Sequence, residues 1–553
     1  MIRRAAGADP RRPDRAAGAA GVSMSPTLGE RWGKNGNMQL LASYLSGSWS
    51  VGSGSKVTLV NPSTEEPLAE VHAGGHDLTG AFGYARTTGG RELGQLTFAQ
   101  RGALLAGLAK AIHGAREELI ALAIANGGNT RSDAKFDIDG GALALSHYAE
   151  LGAKLGETQL IPDGEPIQVG RTARMAGQHV WVRQRGVALH INAFNFPSWG
   201  LCEKLACALL AGMPVITKPA TATALVAHRL VELFANLLPA GALQLLVGPP
   251  GWLLDHLGPG DVVAFTGGSD TARMLRTHPG IVAHSVRLNI EADSLNAAIL
   301  APDVALSDET GGLFLADVVR DLTQKTGQKC TAIRRVLVPA DRFAEVADAV
   351  RERLVRVTVG DPAREGIGMG PLATAQQRDD VRAGIARLAA ATDALHGGTG
   401  EIDPIGVPAG KGYFIGPVVR ATQSPMTCAP LHEHEIFGPV TTLCAYDGQP
   451  AFAAEFVARG EGCLVSSAYS DDRDWVGKFV TAAAPWAGRL FLGSSKMAAQ
   501  SPGPGTVLPS LLHGGPGRAG GGEELGGERG LHRYMQRCAL EGDASILKSL
   551  IGA

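Results

Sequence analysis

The stretch of chain from residue 186 to residue 217 places the strongest constraint on the fold. An apolar segment at 186–191 predicts a strand, and the residues after it predict a helix that Gly212 ends. A second apolar segment, 213–217, predicts another strand. Two strands joined by a helix within about 30 residues form a βαβ unit, whose strands lie parallel with a right-handed crossover. The chain therefore contains a parallel sheet.

The same alternation continues along the chain. Further strands are predicted at 262–265 and 286–290, with a helix at 270–277 between them. A second series of strands and helices follows Cys330: 335–338, 343–355, 376–391 and 418–421. A chain of 553 residues exceeds the size of one hydrophobic core. We therefore predict an α/β fold with two doubly wound parallel-sheet domains.

Composition narrows the class of protein. Apolar residues make up 45% of the chain and charged residues 19%, which favours a folded globular protein. The formal charge of −2 argues against binding to nucleic acid or to an anionic membrane surface. No apolar run reaches the roughly 18 residues of a membrane span. We expect a soluble cytoplasmic protein whose partner is a small molecule.

The seven cysteines are scattered and include no C-x-x-C pair. This pattern suggests neither a disulfide framework nor a zinc site, so a reducing compartment and no metal are expected. Residues 1–37 are rich in Ala, Gly and Arg and lack the apolar region of a signal peptide. We expect them to be a disordered extension, or the result of a start assigned too early.

Gly515, Gly517 and Gly520 match the dinucleotide fingerprint G-x-G-x-x-G. No room remains after them for a βαβ unit and its later acidic residue. We interpret this segment as a flexible or tightly turned loop.

Four polar residues follow predicted strands or lie in a loop, where ligands of open α/β sheets bind. Cys330 comes after a glycine and two lysines, which would favour its thiolate. Glu291 is placed to act as an acid or base, Asn195 to donate to an oxyanion, and Lys218 to meet a ribose or phosphate. Each alone has an ordinary interpretation: a small buried thiol, a solvated loop glutamate, a turn residue and a surface lysine.

Together, these segments resemble the aldehyde dehydrogenase superfamily over about residues 38–537. The motifs that carry the resemblance are Asn195-Phe196-Pro197, Lys218-Pro219-Ala220, Phe265-Thr266-Gly267, Glu291, Gly327-Gln328-Lys329-Cys330 and Glu435-Ile436-Phe437-Gly438-Pro439. The resemblance implies that Cys330 is the nucleophile, Glu291 the general base and Asn195 an oxyanion donor. It also implies a set of cofactor-binding residues: Lys218, Ala220, Thr221, Phe265, Thr266, Gly267, Gly268, Ser269, Glu435 and Phe437.

The resemblance further implies a domain layout. Residues 38–307 would bind the cofactor and 308–505 would carry the nucleophile. A hairpin at about 165–185 would join subunits, and 506–553 would bridge them. We therefore expect a homodimer or a dimer of dimers.

Two segments point to one branch of this family. The string from Glu291 to Asn296 and the tail 511–521 are similar to enzymes that oxidise CoA-linked semialdehydes released by ring opening in aerobic aromatic degradation. Phenylacetate-route members carry a C-terminal hydratase domain, whereas this chain ends soon after the tail motif, so we expect a member of the benzoate route. The branch string puts Ala292 and Asp293 where most of the family has two glycines, and Gly268 stands where a serine is common.

Cofactor choice is predicted from charge. NAD-preferring members often place a glutamate three residues after the lysine, and here that position is Thr221. We therefore expect NADP, with NAD possible. Three alternatives stay open: an aldehyde dehydrogenase of the phenylacetate-type route or of general aldehydes, a hydrolase or acyltransferase in which His432 or His434 assists Cys330, and a non-catalytic nucleotide-binding relative.

Overall fold

The structure, a computed structural model, describes residues 39–551. The predictions for residues 1–37 lie outside the described residues. Within the described part, two seven-stranded sheets carry the fold, and two three-stranded sheets and a short two-stranded ribbon complete it.

The first sheet contains the βαβ unit that the sequence predicts. Its strands, in spatial order, are Arg287–Glu291, Val262–Thr266, Ala188–Ile191, Val215–Lys218, Leu243–Leu245, Ser43–Leu45 and Ser48–Ser50. The first five are parallel, and the last two add an antiparallel edge. The parallel strands are almost entirely buried because helices cover both faces, which explains why most of them are predominantly apolar.

The second sheet has the same architecture. Its strands, in spatial order, are Asp393–His396, Val418–Thr422, Val440–Tyr446, Arg335–Pro339, Ala297–Leu300, Cys463–Tyr469 and Ala487–Gly493. Only Asp393–His396 runs antiparallel to its neighbour. Two doubly wound parallel sheets are thus confirmed.

The chain crosses from the first sheet to the second earlier than predicted. Ala297–Leu300 pairs with Arg335–Pro339 in the second sheet, so the crossing lies within residues 292–296 instead of at 307. This apolar segment follows Glu291 so closely that its pattern alone cannot assign it to a different sheet.

Helices surround both sheets. Those that pack on the first sheet or precede it are Leu78–Tyr84, Gly90–Gly94, Phe98–Gly114, Arg116–Gly127, Arg131–Leu155, Trp199–Ala211, Ala224–Phe234, Ser269–Thr277 and Pro279–Ala283. Those of the second half are Glu309–Thr323, Phe343–Leu354, Ala375–Ala389, Ala429–Glu433, Pro450–Ala458, Arg473–Ala483, Glu528–His532 and Ala544–Ile551. Thr97 starts one of them with a capping box, and Gly212 ends another in the left-handed region. No helix within residues 39–551 is both long enough and apolar enough to cross a membrane.

The predicted hairpin starts earlier than expected, and a third strand pairs with it. Its strands are Leu160–Gln168 and Met175–Arg183, and the C-terminal strand Met535–Asp543 pairs with the second of them. We call this the C-terminal sheet. The other three-stranded sheet combines Gln39–Leu40, Pro67–Gly74 and Ser53–Val60.

The glycine-rich tail is a tight turn against the first sheet. It lies between the paired strands Leu512–Gly514 and Glu523–Leu525. The Gly522 amide donates to the Ile290 carbonyl oxygen at 3.0 Å. A Cβ on Gly520 or Gly522 would lie 2.3 Å from that oxygen, so only glycine allows this approach.

Candidate active site

The carboxyl ends of adjacent strands place three predicted residues side by side. Glu291 pairs in register with Thr266, and Ile191, whose strand leads into Asn195, pairs with Lys218. Ligands of parallel sheets bind at these ends. Glu291, Thr266 and the segment that leads to Asn195 therefore lie at neighbouring strand ends, while Lys218 ends the next strand along.

The second half of the chain supplies Cys330 on a constrained loop. Lys325 and Thr326 adopt left-handed backbone angles, with φ of 53° and 57°. Such conformations cost about 1–3 kcal/mol each and persist only where the surroundings impose them. Here the Asn195 amide donates to the Gln328 carbonyl at 3.0 Å, and the Asn296 amide donates to that of Cys330 at 2.8 Å. The loop therefore holds Cys330 against the first sheet.

Two cavities meet at Cys330. The first, of about 490 Å³, is lined mainly by aromatic and polar side chains: Phe136, Asn192, Phe196, Trp199, Glu203, Lys204, Thr331, Val507 and His513. The second, of about 630 Å³, has a different lining: Phe194, Gly267, Gly268, Ala292, Asp293, Gln377, Glu435 and Phe437. Asn195, Thr266, Glu291 and Cys330 line both. Ligands bound in the two cavities would thus contact each other beside the Cys330 sulfur.

Glu291 is buried between Thr266 and a histidine that the sequence analysis missed. The Thr266 hydroxyl lies 3.4 Å from Glu291 Oε2, and His513 Nε2 lies 3.4 Å from Oε1. Burial by itself would raise the pKa of Glu291, but His513 and Lys204 outweigh it and lower that pKa. The same pairing raises the pKa of His513 against the effect of its burial.

The two lysines beside Cys330 do not favour its thiolate, contrary to the prediction. Lys329 Nζ pairs with Asp321 at 2.7 Å, and Lys325 Nζ lies 4.5 Å from the centre of the Phe196 ring. Burial raises the pKa of the Cys330 thiol, and the Glu291 carboxylate raises it further. Cys330 is therefore a thiol at rest.

The predicted histidine partners of Cys330 lie elsewhere. His432 accepts a hydrogen bond from Arg335 at 2.9 Å and contacts the Pro425 carbonyl, while His434 is exposed. The histidine that faces the sulfur is His513, whose Nε2 is 3.9 Å from Cys330 Sγ. The tail motif contains His513, but its neighbourhood in the fold is not visible in the sequence.

A buried charge cluster adjoins Glu291 and was also missed. Lys204 Nζ lies 3.2 Å from Glu203 Oε1 and 2.9 Å from Glu524 Oε2. Carboxylate oxygens of Glu203, Glu291 and Glu524 lie within 4.8 Å of one another. Burial raises the pKa of Glu524 to about 8, although Lys204 opposes the shift. Glu524 is therefore a stronger base than an ordinary glutamate, and it lies beside Glu291.

The predicted phosphate turn faces open space. Nothing lies within 4 Å of the position of a Cβ on Gly268, directly before helix Ser269–Thr277. Asp293 partly occupies the start of this helix, because its carboxylate accepts from the Ser269 amide at 3.1 Å and from the Ser269 hydroxyl at 2.7 Å. Asp293 stands where most of the family has a glycine, and it thus places a negative charge at the helix start, where the backbone amides favour a phosphate. The neighbouring Phe265 side chain is buried.

The remaining predicted cofactor residues divide into two groups. Glu435 and Phe437 line the second cavity, where Glu435 accepts from Arg334 at 3.0 Å and from the Ser294 amide at 2.9 Å. Burial raises the pKa of Glu435 to about 7.

Lys218, Ala220 and Thr221 belong to neither cavity lining. Lys218 Nζ donates to the Pro219 carbonyl, and burial lowers its pKa to about 8. This buried lysine ends an inner strand of the first sheet.

The fold and this site define the class of the protein. The aldehyde dehydrogenase family model matches residues 49–539, and the chain belongs to that family. It is an aldehyde dehydrogenase, an oxidoreductase, as the motifs predict. Solved structures share the fold: 3,6-anhydro-L-galactose dehydrogenase in complex with NAP (TM-score 0.79, 20% identity, 91% of this chain and 100% of that one) and betaine aldehyde dehydrogenase from Staphylococcus aureus in complex with NAD⁺ (TM-score 0.78, 22% identity, 91% and 94%).

Similarity within the family is also specific. The chain is 41% identical over 479 residues to 3,4-dehydroadipyl-CoA semialdehyde dehydrogenase of Aromatoleum evansii, covering 86% of this chain and 93% of the relative. It is 29% identical over 367 residues to alpha-ketoglutaric semialdehyde dehydrogenase of Bacillus subtilis, with 64% and 69% covered. The predicted resemblance to CoA-semialdehyde dehydrogenases is confirmed.

Proposed function

We propose that this enzyme oxidises 3,4-dehydroadipyl-CoA semialdehyde to the free carboxylate, with NADP, in aerobic benzoate degradation. The observation that carries the chemistry is the meeting of two cavities at Cys330, with Glu291 and Asn195 in both linings. The substrate is inferred from the Aromatoleum evansii relative and from the branch motifs.

The first half of the reaction uses Cys330 as nucleophile. Cys330 loses its thiol proton to solvent, and the sulfur attacks the aldehyde carbon from the first cavity. Asn195 uses one amide hydrogen to hold the loop, so its other hydrogen and the Cys330 backbone amide are available for the oxyanion. The product of this half is a thioester on Cys330.

The second cavity fits a nicotinamide dinucleotide. The open space at Gly268 leaves room for a diphosphate, and Phe437 and Glu435 border the cavity. Bound there, the dinucleotide supplies the hydride acceptor for the aldehyde carbon.

Glu291 then activates the water that cleaves the thioester. To act again in the next turnover, Glu291 must lose the proton taken from this water. Glu203 and Glu524 provide acceptors within 4.8 Å, and Lys204 stabilises the charge that moves among them. Hydrolysis gives the free carboxylate, which a thiol acceptor would not.

The preference for NADP is supported by Lys218 and Thr221. Lys218 is a buried cation whose pKa is lowered by burial, so an added phosphate would stabilise its charged form. Thr221 provides no carboxylate to repel a 2′-phosphate.

We also propose that the C-terminal sheet joins two copies of the chain. It and the following helix expose apolar side chains, with Ile167 at 58%, Ile546 at 59% and Leu550 at 58% exposure. Such a patch is typical of a protein interface. Sedimentation velocity should show a dimer or tetramer that Ile546→Asp with Leu550→Asp dissociates; a monomeric wild type would contradict this.

The test of the reaction is nicotinamide reduction by purified enzyme. A CoA-linked semialdehyde and a free aliphatic aldehyde are each supplied with NADP and with NAD, and Cys330→Ala serves as the inactive control. We expect reduction chiefly with the CoA-linked substrate and NADP. Activity on free aldehydes alone would refute the proposed substrate, and faster turnover with NAD would refute the cofactor preference.

A further inference from the structure

Three donor atoms of different chemistry converge at the meeting point of the cavities. They are Cys330 Sγ, His513 Nε2 and a Glu291 carboxylate oxygen, and all lie within 4.8 Å of one another. The sulfur is 3.9 Å from His513 Nε2, which is 3.4 Å from Glu291 Oε1. A thiolate, an imidazole and a carboxylate are the ligands that zinc prefers in proteins.

The spacing matches a tetrahedral zinc ion closely. Zinc bonds of about 2.3 Å to sulfur, 2.0–2.1 Å to nitrogen and 2.0–2.2 Å to oxygen place tetrahedral ligands about 3.6 Å apart for S and N, and about 3.4 Å apart for N and O. The observed sulfur–nitrogen and nitrogen–oxygen separations, 3.9 and 3.4 Å, differ from these values by about 0.3 Å or less, and the sulfur lies within 4.8 Å of the carboxylate oxygen.

Two of the donor atoms already face each other in a buried site. Glu291 Oε1 lies 3.4 Å from His513 Nε2. Glu291 and His513 are both buried, so solvent competes weakly for them. The cavities next to Cys330 leave room for a fourth ligand, such as water.

We propose that Zn²⁺ binds Cys330, His513 and Glu291 and reversibly inhibits the enzyme. The metal forms a bond to Cys330 Sγ, the thiol proton leaves for solvent, and no electron is transferred. The nucleophile and the base are then both held by the metal. Mg²⁺ and Ca²⁺ do not substitute, because they take oxygen ligands. Inhibition rests on the proposed function, whereas binding does not.

Cobalt provides a probe of binding that does not depend on activity. The titration uses a parent variant with the Cys538→Ser substitution, because Cys538 is exposed and would bind metal adventitiously. Titration with Co²⁺ should produce a thiolate-to-metal charge-transfer band and the intense visible bands of tetrahedral cobalt, and Zn²⁺ should abolish both. Mg²⁺ should leave them unchanged.

Variants identify the ligands. Cys330→Ser should remove the charge-transfer band, and His513→Gln should weaken Co²⁺ and Zn²⁺ binding at least tenfold. The matched control is His434→Gln, an exposed histidine outside the site, which should bind as tightly as the parent. A band that survives Cys330→Ser, or unchanged affinity in His513→Gln, would overturn the proposal.

The activity measurement then separates the two hypotheses. Zn²⁺ should stop aldehyde oxidation at the concentrations that displace cobalt, and a chelator should restore it. Inhibition that occurs without Cys330-dependent binding would overturn the metal site. A cobalt band in a protein that oxidises no aldehyde would leave the metal site standing and would refute the proposed function instead.

Discussion

Glu291→Gln should separate the two halves of the proposed reaction. Glutamine keeps the size of the side chain and an oxygen for the Thr266 hydroxyl, but it cannot take a proton from water. General base catalysis typically contributes 10²–10⁴-fold, or about 3–5 kcal/mol of activation free energy. We expect the first turnover to release one equivalent of reduced cofactor per active site, and the steady state to slow by about that factor.

The same substitution should change the reactivity of Cys330. The Glu291 carboxylate raises the pKa of the thiol, so its removal lowers that pKa and increases the thiolate fraction at a given pH. Iodoacetamide should then alkylate Cys330 faster at pH 7, in the absence of cofactor. Glu435→Gln is the matched control, because the Glu435 carboxylate also raises the pKa of the thiol but by less than Glu291 does.

Stopped-flow absorbance of the reduced nicotinamide measures both phases, and alkylation is followed by mass spectrometry. Equal steady-state rates in the wild type and Glu291→Gln would refute the role of Glu291 in hydrolysis. A variant that loses the burst but alkylates normally would place its role before hydride transfer instead.

Three further predictions test the cofactor region and the loop. Asp293→Asn keeps an acceptor for Ser269 but removes a charge at the helix start, so the dinucleotide should bind about 2–5-fold more tightly by calorimetry, with little change in melting temperature; weaker binding would contradict this. The ratio of NADP affinity to NAD affinity should fall as pH rises through about 8, because Lys218 then loses its proton. Lys218→Met should remove this pH dependence. A ratio that stays constant in the wild type would show that Lys218 does not set the cofactor preference. Lys329→Met leaves the buried Asp321 carboxylate without its ion-pair partner and should lower the free energy of unfolding in guanidinium by about 3–5 kcal/mol. The double variant Lys329→Met/Asp321→Asn should recover part of this loss. An unchanged unfolding midpoint would show that this ion pair does not contribute to stability.

Local patterns predicted the parallel sheets well. The predicted strand 286–290 is Arg287–Glu291 in the structure, and 335–338 is Arg335–Pro339. The first alternates apolar and polar residues, and the second is apolar after Arg335, and both patterns are typical of strands. Ala297–Leu300 looks the same locally, and only its pairing in the second sheet reveals the crossing.

The residues of the site could be predicted where a polar side chain directly follows a strand. Glu291 and Asn195 could be found at strand ends, and Cys330 from its family motif. His513 and Glu524 reach the site from far along the chain, so no local spacing shows their role. One signal was available: Glu203 and Lys204 interrupt helix Trp199–Ala211, which is otherwise apolar around its circumference. A buried charged pair in such a helix requires a partner elsewhere.

The expectation of no metal was also based on local sequence spacing. It rested on the absence of neighbouring cysteines, whereas the donors at 291, 330 and 513 are separated by long stretches of chain. Sequence spacing reports local metal motifs and says nothing of a cluster assembled from three distant segments.

The segment from Leu512 to Asp543 links the order of synthesis to the chemistry. It supplies His513, then Glu524, then the outer strand of the C-terminal sheet, and it is made after both parallel sheets. A nascent chain that has reached residue 510 already holds Cys330 and Glu291, but its buried Lys204 still lacks Glu524. The charge balance of the site is therefore completed late in translation, which keeps the reactive thiol in an unfinished setting until the C-terminal sheet can form.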